Sequence, residues 1–279
     1  MNILKDIQAM TATRRKWREE GLGIALVPTM GYFHEGHLAL MKRAGELADK
    51  VVVSIFVNPT QFGPGEDLDR YPRDLERDKR LAEGVGVDAI FIPGAKDMYP
   101  ENFSTWITVE GLSENMCGSS RPGHFKGVAT VVAKLFNLVE PHFAVFGEKD
   151  FQQLAIIRQM TKDLNIPVDI VSQPTVREKD GLAMSSRNSY LSPGERKVAT
   201  CLFRSLKLAE EMIRKGETSV PVIKVAVSKL IMDEKGTKID YIFIGDPEKL
   251  VPYEKTKSPA LLALAVWVGK TRLIDNIIL

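Results

Sequence analysis

Val27–His37 reads V-P-T-M-G-Y-F-H-E-G-H, and this stretch joins an apolar run to a segment with helical spacing. The run that ends in it, Ile24–Val27, predicts a buried strand, and from His37 the apolar positions repeat at helical intervals through Ala48. Glycine lets the backbone approach a ligand closely, and the free N–H groups at a helix start suit a phosphate. The junction therefore predicts a phosphate-binding turn between a strand and a helix.

Two of the 4 histidines in the chain, His34 and His37, lie in this turn. Residues three apart face the same side of a first helical turn, so both imidazoles can reach one ligand. Each can give a hydrogen bond or a proton to a phosphate oxygen without carrying a permanent charge. Taken alone, the pair is also compatible with surface histidines that bind nothing. A zinc site is a further alternative, but Cys117, His124 and His142 form no recognised ligand spacing with the pair.

The composition indicates an ordinary globular protein of one large or two modest domains. The chain has 279 residues, of which 44% are hydrophobic and 27% are charged. Its 38 basic and 36 acidic residues leave a net charge of +2, which provides no general attraction for nucleic acid. Two cysteines are too few for a disulfide framework. We therefore expect a cytoplasmic location.

The first residues, Met1–Arg18, alternate charged and apolar side chains and lack the apolar core of a signal peptide. No apolar run approaches the length that crosses a membrane. The segment predicts an amphipathic first helix, and no interaction with a membrane is expected.

Strand and helix signals alternate through the first half of the chain. Strands are predicted at Ile24–Val27, Val51–Phe56, Ala89–Ile92, Phe143–Phe146 and Val168–Val171, with a further short strand at Thr105–Val109. Helices are predicted from His37, at Leu68–Ala82, at Gly127–Val139 and at Phe151–Leu164. The pattern predicts an α/β fold with a Rossmann-like parallel sheet and helices on both faces. Ligands bind such sheets outside the carboxyl ends of the strands.

The pattern changes near Gln173-Pro174. The later residues predict a helix from Ser192 to about Lys215, a helix at Val220–Met232, and strands at Ile239–Ile244 and Leu261–Val268. We therefore expect a Rossmann-like domain at 1–173 that holds the ligands. A smaller C-terminal α+β domain at 174–279 is expected to close over the site.

Two polar segments follow predicted strands. Gly147-Glu148-Lys149-Asp150 puts Lys149 at a glycine-bearing turn, where an ammonium group can neutralise a phosphate. Arg177–Asn188 contains Ser185-Ser186-Arg187, and arginine binds phosphate oxygens through a rigid fork. Taken alone, either segment is more often a solvated turn or an interdomain loop.

Several motifs together resemble one enzyme family. The H-x-G-H turn is similar to the signature of the nucleotidylyltransferase and class I tRNA-synthetase superfamily, and its longer form P-T-M-G-x-x-H-x-G-H resembles the pantothenate synthetase family. The same family is matched by Asn58–Gly63, Arg121–Val128 and Gly147–Gln153. Met184-Ser185-Ser186-Arg187 resembles the K-M-S-K-S signature of the superfamily. Ala183 stands where that signature has its first lysine, so the charge there must come from Lys149 and Arg187.

The resemblance implies ATP-dependent condensation of pantoate with β-alanine through a pantoyl adenylate. It implies catalytic roles for His37, His34 and Lys149, with His37 as the proton donor, although the sequence does not rank it above His34. The implied ATP contacts are Met30, Gly31, His34, Gly36, His37, Gly147, Glu148, Lys149, Asp150, Val176 (through its backbone, to adenine), Met184, Ser185, Ser186 and Arg187. Gln61 and Gln153 are implied to hold the pantoate and β-alanine substrates.

Mg²⁺ is expected to arrive with ATP and to be held mainly by phosphates and water, with no metal site of the protein's own. The family further implies a homodimer formed through the N-terminal domain. Two other functions stay open on the sequence. A nucleotidylyltransferase would leave the nucleotide on its acceptor, and a sensing module with a degenerate site would bind ATP without turnover.

Overall fold

A computed structural model describes all residues 1–279. Its larger sheet has six strands, which are β1 (Asn2–Leu4), β2 (Ile24–Thr29), β3 (Lys50–Ile55), β4 (Ala89–Phe91), β5 (Phe143–Gly147) and β6 (Asp169–Gln173). The strands are parallel and run in the order β1-β4-β3-β2-β5-β6. The predicted parallel sheet is confirmed.

Helices cover both faces of this sheet. They are α1 (Ile7–Glu19), α2 (Glu35–Leu47), α3 (Leu75–Gly84), α4 (Ala95–Met98), α5 (Cys117–Ser120), α6 (His124–Val139) and α7 (Phe151–Asp163). Side chains alternate across a strand, so Ile24 and Leu26 of β2 pack with α1, α6 and α7. Ala25 and Val27 pack on the other side with α2 and α3. The predicted helical layers on both faces are therefore confirmed.

The C-terminal part forms a second, smaller sheet. After α8 (Pro193–Val198), α9 (Cys201–Arg214) and α10 (Val220–Met232), the strands β7 (Thr237–Gly245), β8 (Leu261–Val268) and β9 (Thr271–Ile278) pair antiparallel in that order. One face of β8, through Leu261 and Ala263, joins the core of the larger sheet, and Leu262 and Leu264 pack with α9 and α10. β6 ends at Gln173. The domain boundary at that residue stays a prediction.

The predicted first helix is confirmed as α1, but strand β1 precedes it and was not predicted. β1 pairs with β4, and α1 starts after Asp6, which caps the helix by accepting the Ala9 N–H. The single helix predicted from Ser192 to Lys215 is two helices, and strand β9 was not predicted.

Two wrong predictions lie closer to the site. The helix predicted from Leu68 begins at Leu75, because Pro72 disfavours helical backbone before it and Asp74 caps the helix by accepting the Arg77 N–H. Thr105–Val109 forms no strand, and the Ile107 N–H donates to the Thr130 hydroxyl, 3.0 Å away. No helix of the chain has both the length and the apolar character needed to cross a membrane.

Candidate active site

Nearly all the predicted site residues line one cleft of about 1220 Å³ at the carboxyl ends of β2 and β5. These strands are neighbours at the point where the strand order reverses, which is where sheets of this kind bind ligands. The predicted residues that line the cleft are Met30, His34, Gly36, His37, Gln61, Gly147, Lys149, Asp150, Gln153, Val176, Met184, Ser185, Ser186 and Arg187. Gly31 and Glu148 do not line it.

The turn before the histidines is shaped by Asp78 of α3. Its carboxylate accepts hydrogen bonds from the N–H groups of Tyr32 and Phe33, each 2.7 Å long. Gly31 has a φ of +84°, and a Cβ on it would lie 3.1 Å from the Asp78 carboxylate. Burial raises the pKa of Asp78, which is 1% exposed. A helix distant in sequence therefore fixes the backbone that leads to His34.

The two histidine rings lie against each other, with their centroids 4.0 Å apart. His34 Nδ1 accepts a hydrogen bond from the Gly36 N–H at 3.1 Å, and His37 Nδ1 accepts one from the His34 N–H at 3.3 Å. A Cβ on Gly36 would lie 2.9 Å from the His34 ring, so this arrangement requires glycine. Because both Nδ1 atoms accept, each neutral ring carries its hydrogen on Nε2.

Both histidines are neutral at pH 7. Burial, followed by the positive charge of Lys149, lowers the pKa of His34 to about 4. Burial is also the largest cause that holds the pKa of His37 well below its usual value, followed by His34 and Lys149. The pair therefore offers two N–H donors rather than two acids.

Lys149 lies in a short 3₁₀ turn, Glu148–Asp150, between β5 and α7. Its ammonium group is 3.8 Å from the Asp150 carboxylate, and its side chain is 21% exposed. The lowered pKa of both histidines is caused in part by its charge. The order of the strands thus brings a cation from the β5 turn to the histidines of the β2 turn.

The Ser185–Arg187 segment contacts the histidine turn, because the Ser186 hydroxyl donates to the Tyr32 carbonyl at 3.4 Å. The Arg187 guanidinium donates two hydrogen bonds to the Asp67 carboxylate, 2.9 and 2.8 Å long. The Tyr190 hydroxyl donates to the same carboxylate at 3.3 Å. Burial opposes ionisation of Asp67, but hydrogen bonding from Arg187 lowers its pKa overall. The cation predicted to bind phosphate is therefore paired with a carboxylate of the chain.

Gln61 is held by neighbours that sequence reasoning left without a role. Asn58 is 1% exposed, and its amide donates to the Gln61 Oε1 at 3.1 Å and to the Gly127 carbonyl at 3.2 Å. His124 Nδ1 lies 2.8 Å from the Gln61 carbonyl and donates to it. Burial lowers the pKa of His124 to about 4, so that ring is also neutral.

Four residues of the site were therefore missed as functional candidates: Asn58, Asp67, Asp78 and His124. Asn58 and His124 carried a signal, since they lie in Asn58–Gly63 and Arg121–Val128, two of the segments that resemble the family. Asp67 and Asp78 carried none, because both lie in a strongly charged stretch of the sequence. No group of three or more His, Cys, Asp or Glu side chains is arranged to hold a metal ion.

The Rossmann-like sheet, the paired histidines at its switch point and the nearby lysine define an α/β enzyme of the H-x-G-H nucleotide-dependent class. The sequence model of one family, described as pantoate-beta-alanine ligase, matches residues 2–278. The chain belongs to the pantoate–β-alanine ligase family, and it is a ligase.

The chain is also similar in sequence and structure to named members of this family. A pantothenate synthetase of Moorella thermoacetica is 54% identical over 279 residues, which is 100% of this chain and 99% of that protein. The crystal structure of pantothenate synthetase from Thermus thermophilus has a TM-score of 0.94 at 48% identity and covers 99% of both chains.

A pantoate-beta-alanine ligase of Francisella tularensis, solved with beta-gamma ATP and beta-alanine, has a TM-score of 0.82 at 34% identity and covers 100% of this chain and 97% of that one.

Proposed function

We propose that this chain joins pantoate to β-alanine with ATP and releases AMP and pyrophosphate. The observation that carries the proposal is the meeting of His34, His37 and Lys149 in one cleft of a chain that belongs to the pantoate–β-alanine ligase family. The solved relative that holds an ATP compound and β-alanine supports the same substrates. The expected product enters the supply of coenzyme A precursors.

The reaction has two steps. A pantoate carboxylate oxygen attacks the α-phosphorus of ATP, a P–O bond forms, and the bond to the leaving pyrophosphate breaks. The β-alanine amine, after losing one proton, attacks the acyl carbon of the adenylate; AMP leaves, and the amide nitrogen loses a second proton. Charge accumulates on the α-phosphate oxygens in the first step, so fixed donors around them lower its barrier.

His34 and His37 are proposed as two of these donors. Each neutral ring offers the N–H of Nε2, because its Nδ1 accepts from the backbone. Their lowered pKa values favour a hydrogen-bonding role over the proton transfer that the family resemblance implied for His37. Lys149 is proposed to carry the compensating positive charge, since its ammonium group influences both rings.

Ser185, Ser186 and Arg187 are proposed to hold the outer phosphates. For Arg187 this requires an exchange of partners, since its guanidinium is now bonded to Asp67. A triphosphate offers more negative charge than one carboxylate and also accepts two parallel N–H bonds from arginine. Binding of ATP is therefore proposed to release Asp67 and the loop that carries it.

The remaining ATP contacts are proposed for the backbone. Val176 lines the cleft, and its carbonyl accepts the Met184 N–H at 3.0 Å, which holds its backbone in place. The Val176 N–H is proposed to bind adenine. Met30, Gly36, Gly147 and Asp150 line the cleft and allow close approach of the nucleotide. Gly31 and Glu148 do not line it, and they are proposed to act through the shapes of the two turns.

Gln61 and Gln153, which both line the cleft, are proposed to bind the pantoate and β-alanine substrates. The hydrogen bond from Asn58 fixes the Gln61 Oε1 as an acceptor, and the Gln61 amide nitrogen lies 3.3 Å from the Met30 sulfur. A weak sulfur acceptor is easily exchanged for a stronger oxygen acceptor of a hydroxy-acid.

Mg²⁺ is proposed to bind with ATP, where it would neutralise phosphate charge. Asp150 lines the cleft with carboxylate oxygens, the ligand type that Mg²⁺ prefers, and phosphates and water would supply the other ligands. We further propose that residues 174–279 act as a domain that closes over ATP and excludes water from the mixed anhydride.

A homodimer formed through the N-terminal domain and a cytoplasmic location complete the proposal. Sedimentation equilibrium of the whole chain tests the dimer, and a mass of one protomer at micromolar concentration would contradict it. The proposed location follows from the low cysteine content and is tested by cell fractionation.

The reaction is tested by the exchange of labelled pyrophosphate into ATP with Mg²⁺ present and no amine. Exchange that requires pantoate supports the reversible adenylate step, and release of AMP on adding β-alanine supports the second. ATP binding without exchange, across a panel of hydroxy-acids, would overturn the proposal.

A further inference from the structure

Strand β9, the last strand of the chain, contacts the turn that carries Lys149. The side-chain amide nitrogen of Asn276 donates to two consecutive carbonyls, those of Glu148 and Lys149, at 2.9 Å each. Asn276 is 8% exposed. Both hydrogens of one amide group therefore hold the backbone of a turn that lies more than a hundred residues earlier in the chain.

The neighbouring residue, Asp275, holds the other proposed ATP-binding segment. Its carboxylate is 1% exposed and accepts two hydrogen bonds from Arg177, 2.6 and 2.9 Å long. Arg177 also donates to the Gly181 carbonyl at 3.0 Å, and its backbone pairs with Ala183. Arg177 thus stands at the base of the segment that leads to Ser185–Arg187.

We propose that Asn276 is a positioning residue for Lys149 in the adenylation step, and this inference rests on the proposed function. The Lys149 ammonium reaches its place only if the backbone of its turn is oriented correctly, and a misplacement of 1 Å is enough to slow an enzyme by about 10²-fold. Asn276 also lines the cleft, but both hydrogens of its amide nitrogen are taken up by the two carbonyls, so the role proposed for it is to fix that backbone. Asp275 gives the same support to the Ser185–Arg187 segment, so one strand aligns both halves of the phosphate site.

The chemistry of the contact requires an amide. Two carbonyl oxygens need two N–H donors, which asparagine supplies from one nitrogen. An ionised carboxylate of the same size has no hydrogen to donate and would face two oxygens. Asn276→Asp is therefore expected to disturb the Lys149 turn at least as strongly as Asn276→Ala.

A double-mutant cycle separates this role from a general effect on stability. In pantoate-dependent pyrophosphate exchange, Asn276→Ala should lower the rate by roughly 10- to 100-fold, with the KM for pantoate nearly unchanged. If Asn276 acts through Lys149, adding Asn276→Ala to Lys149→Ala should cost little more than Lys149→Ala alone. Multiplication of the two losses in the double variant would overturn the proposal, as would wild-type exchange in Asn276→Ala.

Asn115→Ala is the matched control. Its amide also joins the two parts of the chain, donating to the Leu250 carbonyl at 3.2 Å, but it does not line the cleft. Exchange by this variant should stay within about twofold of wild type. If Asn276→Ala fails to fold, Asn276→Gln, which keeps the amide but displaces it by one methylene, provides the cycle instead.

If the proposed function is wrong, the wild-type chain itself shows no exchange, which distinguishes this outcome from failure of the inference. The positioning role is then tested by measuring ATP affinity with calorimetry. Lys149→Ala and Asn276→Ala should each weaken ATP binding, and the double variant should bind no more weakly than Lys149→Ala. Additive losses of affinity would overturn the inference.

Discussion

We propose that a phosphate of ATP replaces Asp67 as the partner of Arg187. Removal of the Asp67 carboxylate should then tighten ATP binding, although most losses of a charged group from a binding cleft weaken it. In Asp67→Asn the carboxylate that competes for the guanidinium is replaced by a neutral side chain of the same size. ATP then no longer has to break a charge-assisted pair before it reaches Arg187.

The magnitude follows from the exposure of the pair. The Arg187 and Asp67 side chains are 30% and 14% exposed, so their two hydrogen bonds are only partly screened by water. A pair of this kind contributes about 1 to 2 kcal/mol after its desolvation cost, which corresponds to about 5- to 30-fold in affinity. The dissociation constant for ATP should fall by that factor.

Titration calorimetry of ATP with Mg²⁺ measures the change, and Asp69→Asn is the matched control. Asp69 lies in the same loop and is exposed, so its loss changes the net charge equally without freeing Arg187. We expect the control to change affinity by less than about twofold, because exposed charges are screened. Equal affinities for the two variants, or weaker binding by Asp67→Asn, would refute the exchange of partners.

Three further predictions concern the histidines. His37→Ala should lower the rate of pyrophosphate exchange by roughly 10²- to 10³-fold, the usual loss for one fixed donor to a developing oxyanion, and single-turnover adenylate formation at the wild-type rate would remove that role. Gly36→Ala should slow exchange because its Cβ would lie 2.9 Å from the His34 ring, whereas Gly45→Ala in the same helix meets only Val51 at 3.8 Å and should leave the rate unchanged; equal rates for both variants would contradict the cap geometry. The pKa of His34 and of His124 is about 4 in the folded protein. In the unfolded chain these histidines titrate near pH 6.5, so on acidification they bind protons at a higher pH than they do in the folded protein. The free energy of unfolding is therefore retained above pH 6.5. Between pH 6.5 and 4 it should fall, by up to about 1.4 kcal/mol per pH unit for each histidine. Urea unfolding at pH 7 and pH 5.5 checks this, and equal stabilities would contradict it.

The parallel sheet and the histidine turn could be predicted because their signals are local. An apolar run such as Ile24–Val27 has the length of a strand, and glycines mark the turn that follows. The Lys149 turn is recognisable in the same way, from a glycine after the strand Phe143–Phe146. Neither segment indicates which strands become neighbours in the sheet. The proximity of Lys149 to the histidines is therefore known only from the fold.

Strands β1 and β9 were not predicted, because each depends on partners that are distant in the sequence. β1 has three residues and gains its partner only from β4, at Ala89–Phe91. In β9, Asp275 and Asn276 interrupt the apolar alternation of a strand, yet both are buried. Their polar groups are satisfied by Arg177 and by the carbonyls of the Lys149 turn. Burial of such residues is favourable only when those distant partners are in place.

The sequence by itself determined the class of sheet, the turn that carries the two histidines and the family, because these depend on residues that are adjacent in the chain. Tertiary structure alone decided that Asp78 shapes the turn, that Asp67 occupies Arg187 and that Asn276 holds the Lys149 backbone. In the sequence these three residues are ordinary polar positions in charged or mixed segments. Their roles arise from hydrogen bonds to atoms 45 to 128 residues away, and such bonds form only when folding brings the partners together and removes water from them.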